Sequence, residues 1–369
     1  MIMDESSTRK TSQQIMSDAD AALFVEVDPD RKFNRLLTFD AARIAKGRKL
    51  KTIRAIDVST AKGVAAKEYF QGMLDRVVGG IEGNCLVIFG RTGAGKSHII
   101  RQLVAHPDLQ PRETVEGKYR PLLKLVAPAP CTLRTLGLRI LQELGYRPKK
   151  KLREDEVWDR VFANLRAQGV AILVIDEMHN VLAGRNSPEK TKIAATLKSL
   201  MVSEDNPIQL VMAGLDPLKD FIKKYSELHR RAHFLELAPL EAVKDLVKYT
   251  KFLTKVQERL GVQTCGFTRG DMPQRFYFAS RGLVGRMAYF AQEAATIAVS
   301  RDDEIVTEEH LAEAYRRPYG VGRTENPFLV LNVSTLKMPK QAEAIVNDDE
   351  TLLRGTKKGA DVEQAEIDL

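Results

Sequence analysis

The stretch "CLVIFGRTGAGKSHII", residues 85–100, is an apolar run that breaks into a glycine-rich turn and then resumes as a helical pattern. Gly90, Gly95, Lys96 and Ser97 satisfy G-x-x-x-x-G-K-[ST] after a predicted strand and at the start of a predicted helix, the setting that a phosphate-binding loop requires. The glycines let the backbone curl so that successive N–H groups point inward, and the helix N-terminus adds its positive dipole at the same spot. Gly90, Arg91, Thr92, Gly93, Ala94, Gly95, Lys96, Ser97 and the adjoining His98 are the candidates for binding ATP. In that role Lys96 neutralises the outer phosphates and the Ser97 hydroxyl ligates Mg²⁺. His98 and His179 fall near this site, where a surface or packing role is expected of both rather than catalysis.

Four further apolar runs follow the first, at residues 121–127, 170–175, 208–213 and 233–237, with room for a helix in each interval. Continuous apolar strands of this kind indicate a parallel sheet covered on both faces, so the expected fold is a doubly wound α/β domain with five parallel strands. Its first helix reads from "STAKGVAAKEYFQGMLDRVVGGI", where Ala66, Phe70, Met73, Leu74 and Val77 recur at helical spacing and Gly79-Gly80 stops them. Another begins at "SPEKTKIAATLKSLM", with Ser187 as N-cap, Pro188 at the first helical position and Ile193, Leu197, Leu200 and Met201 on one face. After "LAPL" the strand pattern stops and about 75 residues read as helices. The expected organisation is a basic arm over 1–60, the nucleotide-binding domain over 61–240, a helical lid over 241–317 and a mostly flexible extension over 318–369.

A second chemical element lies in "VAILVIDEMHN", an apolar strand that ends in two acids. Asp176 is placed to hold the Mg²⁺ shell with Ser97, and Glu177 to orient and deprotonate an attacking water. Arg230 and Arg231 stand immediately before the fifth strand, where one guanidinium could project from one subunit to the γ-phosphate held by its neighbour; a basic surface turn is the competing reading. Arg286, in "SRGLVGRMAYFAQEA", starts a helix of the second domain and could reach the phosphates from above.

Strand, phosphate loop, "VIDE", an arginine before the fifth strand and "GLVGR" in a helical lid together resemble the AAA+ ATPases. Within that class, "NCLVIFGRTGAGKSHII", "LVIDEMHNVLAGRN" and "GLVGRMAYFAQEA" are similar to the TniB/TnsC regulators of DNA transposition, over about residues 60–320. The resemblance implies an ATPase using ATP and Mg²⁺ that assembles on duplex DNA as a hexameric or heptameric ring or a helical filament. It further implies that the assembly links a TniQ/TnsD-like target selector to transposase subunits and dissolves on hydrolysis, in the bacterial cytoplasm at the nucleoid. By the same resemblance Glu177, Lys96 and Arg230 or Arg231 are the catalytic set, and Arg286 is the lid sensor. One departure stands out: AAA+ proteins usually carry a polar residue after the fourth strand that helps place the water, whereas this strand continues as Ala213, Gly214, Leu215 and Asp216. Slow turnover is the expectation.

The resemblance also places DNA contacts after the second strand, where Thr132, Arg134, Lys149, Lys150 and Lys151 are the candidates. Short hydroxyls and long cations hold phosphates without reading bases. For Thr132 a helix N-cap, and for the lysines a solvated loop, are the competing readings. The net charge of +8 favours a polyanionic partner. The first twenty residues lack a secretory apolar core and no stretch reaches roughly 20 apolar residues, so a soluble, unprocessed chain is expected. The three cysteines lack paired spacing for zinc or a disulfide framework. An origin-recognition or helicase-loader ATPase, and a nucleotide-gated scaffold with little hydrolysis, remain alternatives. "GRTENPFLVLNV" alternates enough for a docking strand, with an inert linker equally open.

Overall fold

The computed structural model describes residues 40–115, 117–146, 151–182 and 187–336. The described residues up to Lys51 belong to one unit and those from Thr52 to Leu336 to another. The described part of the first unit is the front of helix α1 (Ala41–Arg54), exposed along this part except at the half-buried Lys46 and Leu50; Asp40 Oδ1 accepts the Arg43 N–H at 2.7 Å as an N-cap.

The larger unit opens with helix α2 (Ala61–Val78), capped by Thr60 Oγ1, which accepts the Gly63 N–H at 3.0 Å. The core strand β1 (Cys85–Phe89) is buried at every residue and leads through the glycine loop into α3 (Lys96–Val104). An exposed hairpin of β2 (Arg112–Thr114) and β3 (Gly117–Tyr119) precedes β4 (Leu122–Val126). Then come α4 (Leu133–Glu143), α5 (Glu154–Ala167), β5 (Ile172–Asp176), α6 (Ser187–Val202) and β6 (Gln209–Gly214). Helices α7 (Pro217–Lys224) and α8 (Ser226–His229) lead to β7 (Ala232–Glu236).

The central sheet is parallel with the order β4-β5-β6-β1-β7, so the strand carrying the glycine loop lies between two neighbours formed more than 100 residues later. Its pleat sorts the core into two layers. Leu86, Ile88, Ile172 and Val174 pack with Phe70, Met73, Ile99, Ile100 and Leu103 of α2 and α3. Val87, Leu173, Ile175 and Leu210 pack with Leu136, Ile140, Val157, Val161, Ile193 and Leu197 of α4, α5 and α6 on the other face. Both faces are therefore dry, which is why these strands read as unbroken apolar runs.

Beyond β7 the chain forms α9 (Leu246–Arg259), α10 (Met272–Ser280), α11 (Val284–Ser300) and α12 (Glu308–Tyr319). Within this helical region β8 (Gln263–Thr264) pairs in parallel with β9 (Ile305–Val306), a two-residue bridge that sequence periodicity cannot reveal. The nearly buried carboxylate of Glu293 on α11 holds two guanidinium groups, Arg54 at the end of α1 and Arg317 on α12, the latter at 3.0 Å. Such shared, partly desolvated pairs cost far more to break than exposed ones.

The docking strand anticipated in "GRTENPFLVLNV" is not formed. Instead this segment packs against the helices: Phe328 is fully buried with its ring 5.2 Å from Phe276, Asn326 Nδ2 donates to the Ala312 carbonyl at 2.8 Å, and Arg275 Nη1 donates to the Pro327 carbonyl at 2.8 Å. The segment buries Asn326, Pro327 and Phe328 in succession and Val333 beyond them, a plug against the helices rather than a strand with one buried face. Phe328→Ala should lower unfolding stability by about 3–5 kcal/mol, read from urea melts, since it empties a full aromatic volume from a closed site.

Candidate functional site

The parallel register decides which groups meet. Phe89 lies level with Gly214 of β6 and Glu236 of β7, while Ile175 lies level with Met212, so Gly90, Asp176 and Gly214 emerge together at one edge of the sheet. The loop that follows β1 needs residues tolerant of left-handed backbone: Gly93 has φ of 84° and Gly95 φ of 105°. Helix α3 starts at Lys96, with its first N–H groups facing the loop. Lys96 is nearly buried, and its ammonium donates to the carbonyls of Gly90 at 2.6 Å and Arg91 at 3.2 Å. Arg91 and Thr92 on the loop rim are exposed, whereas Ala94 is buried beneath it.

Ser97 Oγ lies 3.3 Å from Asp176 Oδ2, joining the phosphate loop to the end of β5. Asp176 is only 5% exposed, and its other oxygen accepts the Glu177 N–H at 2.9 Å. A hydroxyl and a buried carboxylate at this separation are an oxygen donor pair of the kind Mg²⁺ uses, with substrate phosphates and waters filling the remaining positions. Glu177 has φ of 54°, a left-handed conformation that costs a non-glycine residue roughly 1–2 kcal/mol. That strain turns the chain sharply out of β5 and into the short 3₁₀ turn Met178–Val181.

The C-terminal helices close over the loop. A methyl group on Gly285, in the first turn of α11, would lie 2.5 Å from the Gly93 carbonyl and 2.9 Å from the Gly95 nitrogen. A methyl on Gly93 would meet Arg286 Cγ at 2.7 Å. Arg286 is itself 9% exposed, and its Nη1 is buried without a hydrogen-bond acceptor. A cation kept dry beside a phosphate loop fits an anionic group seated in that loop.

Beside the loop opens a cavity of about 600 Å³, lined by Ile56, Val58, His98, Leu240, Phe252 and Val284 among others. Its size and mixed lining suit a small organic ligand whose charged end reaches Gly95. Ile56 and Val58 contribute although their sequence carries no such signal. His98 borders this cavity with Nε2 2.9 Å from Asp57 Oδ1; burial lowers its pKa below the ordinary histidine value and the Asp57 charge opposes that shift.

Arg230 and Arg231 sit elsewhere. Cys85 is level with Ala232, so both arginines precede the opposite edge of the sheet, about 13 Å along β7 from the phosphate loop. Arg231 has its guanidinium on Glu82 at 2.6 Å and a side chain only 9% exposed, whereas Arg230 is exposed. Thr132 is the N-cap of α4 and forms a reciprocal capping box with Thr135. Arg134 Nε donates to the Leu152 carbonyl at 3.0 Å, and Lys151 is exposed. Lys149 and Lys150 lie outside the described residues. After β6, Leu215 is buried and Asp216 is exposed at the start of α7.

The sequence-family model described as "TniB: Bacterial TniB protein" matches residues 50–242, which is more than half of the 369. Among solved structures, Aeropyrum pernix ORC1 in complex with DNA aligns over 75% of this chain and 70% of its own, with 18% identity and a TM-score of 0.52. That likeness identifies the fold as that of the AAA+ ATPases. Aeropyrum pernix ORC2 in its ADPNP–ADP complexes aligns over 74% of this chain and 73% of its own at 14% identity and a TM-score of 0.49. The Thermotoga maritima RuvB branch-migration motor aligns over 69% of each chain at 13% identity and a TM-score of 0.41. No curated protein matches the chain. Among the described residues no helix is long and apolar enough to cross a membrane.

Gly285→Ala should separate α11 from the phosphate loop without unfolding either. Titration of a fluorescent ATP analogue should show affinity falling at least tenfold, about 1.4 kcal/mol, with the melting temperature lowered by the backbone clash while the protein stays folded.

Proposed function

Because the chain belongs to the bacterial TniB family, we propose that it is an ATP-hydrolysing regulator of DNA transposition that assembles on duplex DNA. The assembly is a ring or filament that links a target-site selector to the transposase and dissolves as ATP is hydrolysed. The observation that supports this reading is the sidedness of the sheet: Arg230 is exposed at the edge opposite its own phosphate loop, out of reach of its own nucleotide site and open to one held by an adjoining copy. Arg231, neutralised by Glu82, fixes the turn that presents it.

In this reading Lys96 moves from the loop carbonyls to the outer phosphate oxygens, and Arg286 Nη1 gains the acceptor it lacks. Ser97 and Asp176 would hold Mg²⁺, which would supply neutralisation of phosphate charge. Glu177 takes a proton from water as the water oxygen bonds to the γ-phosphorus. The bond from that phosphorus to the bridging oxygen breaks, leaving ADP and inorganic phosphate. The neighbour's Arg230 stabilises the charge on the transferred oxygens. The side-chain-free Gly214 at the end of β6 supports slow turnover, and it also favours a second reading, a nucleotide-gated scaffold that scarcely hydrolyses.

DNA contacts in this reading come from the segment between α4 and α5. Thr132 and Arg134 fix that segment through the cap and the Leu152 carbonyl, and Lys149, Lys150 and Lys151 meet phosphates.

Phosphate release with and without duplex separates the two readings. Glu177→Gln should bind ATP and DNA normally, lose activity by about 10²-fold or more and form persistent assemblies; wild-type turnover in this variant excludes the proposed base. Lys96→Ala and Arg230→Ala should each be inactive alone, yet recover activity when mixed, because each supplies what the other lacks. Absence of recovery removes the intersubunit role of Arg230. Reversing the charge of Lys149, Lys150 and Lys151 together should weaken all duplexes alike and flatten the log K against log salt slope by about 2–3; an unchanged slope places the DNA elsewhere.

A further inference from the structure

The carboxylate at 177 must be aimed as well as ionised. Its side chain is 43% exposed, and an exposed carboxylate samples several rotamers unless something holds it. The end of β6, which faces it, contributes no side chain at Gly214 and buries Leu215. The space left there is shared by Leu218, whose Cδ2 would lie 3.1 Å from a methyl placed on Gly214, and by His179. A methyl on Gly214 would lie 3.2 Å from the His179 backbone nitrogen and 3.4 Å from its Nδ1, so the imidazole rests directly against the bare glycine. The opposite ring nitrogen, Nε2, lies 3.3 Å from Glu177 Oε2. The side chain is only 13% exposed.

The ring is also held from behind. His179 belongs to the 3₁₀ turn closed by Asn180 N–H to the Glu177 carbonyl at 3.0 Å and Leu182 N–H to the His179 carbonyl at 2.8 Å. Asn180 Nδ2 ties that turn to the Ala127 carbonyl at 3.0 Å, and Met178 and Val181 anchor it in the core with no exposed surface. A small rigid turn thus places one ring nitrogen beside one oxygen of Glu177.

We propose that His179 is a positioning residue for hydrolysis: from its seat on Gly214 it holds Glu177 through Nε2–H to Oε2, leaving Oε1 to accept the proton of the attacking water. This rests on the hydrolytic reading above. The absence of a side chain at 214 is then what admits the imidazole, not a simple loss.

Three substitutions at 179 separate positioning from packing. A glutamine amide nitrogen reaches the position of the ring Nε2, whereas an asparagine amide nitrogen stops at that of Nδ1. His179→Ala and His179→Asn should lower kcat about tenfold with KM and ATP affinity within about twofold, while His179→Gln stays within about threefold of wild type. Assemblies of the first two variants on duplex should persist longer in proportion. In nucleotide-free protein, Glu177→Gln should shift the ¹⁵N signal of the His179 imidazole, identified as the one missing from His179→Gln. Wild-type kcat in His179→Ala, equal losses in all three variants, or an unmoved imidazole signal each overturn the proposal. If His179→Ala does not fold, Gly214→Ala, which crowds the ring while retaining it, should show the same kcat loss, and wild-type turnover there overturns the proposal too. Glu177→Gln is the control: an inactive Glu177→Gln beside a fully active His179→Ala sinks only the role of His179, whereas an active Glu177→Gln sinks both.

Discussion

The pairing of β1 with β6 on one side and β7 on the other is the constraint from which the rest follows. Parallel register brings residues distant in sequence to a common level, and it gives the sheet two chemically different edges. At one edge stand the phosphate loop, the buried Asp176 and the bare Gly214. At the other stand Arg230 and Arg231. A single chain with this register cannot bring its own Arg230 to its own nucleotide site, so a mechanism that uses this arginine is collective by construction. The strained backbone at Glu177 and the left-handed glycines of the loop persist because the strands that lead into them are buried on both faces.

The parts legible in the sequence were those whose signal is local. The glycine loop, the paired acids and the five apolar runs each occupy a few consecutive residues, and their order gave the α/β fold. Helices α2 and α6 carry their apolar faces at regular spacing, so their burial could be read directly. The hairpin β2–β3 could not be read because its strands are three residues long and almost wholly exposed, with no buried face to impose alternation. The β8–β9 bridge is shorter still.

Other features depend on meetings across long separations. Gly285 looks like an ordinary glycine in "GLVGR" until Gly93 is placed against it. Ile56 and Val58 stand in a basic stretch, yet they line the cavity beside the loop. His179 was read as a surface or packing residue because one histidine after an acid pair carries no pattern; its seat between Gly214 and Glu177 exists only once β5 and β6 are adjacent. In the opposite direction, Thr132 and Arg134 have duties within the fold that composition alone could not separate from contacts with DNA.

The Glu293 clamp has a mechanical side. Helix α11 touches the phosphate loop through Arg286 in its first turn and grips Arg54 and Arg317 through Glu293 two turns later, about 10 Å away along a continuous helix. The helix is therefore a stiff rod with one tip at the phosphate loop and its middle tied to Arg54 and Arg317. One continuous helix thus joins the carboxylate that holds Arg54 and Arg317 to the guanidinium that lies against the phosphate loop.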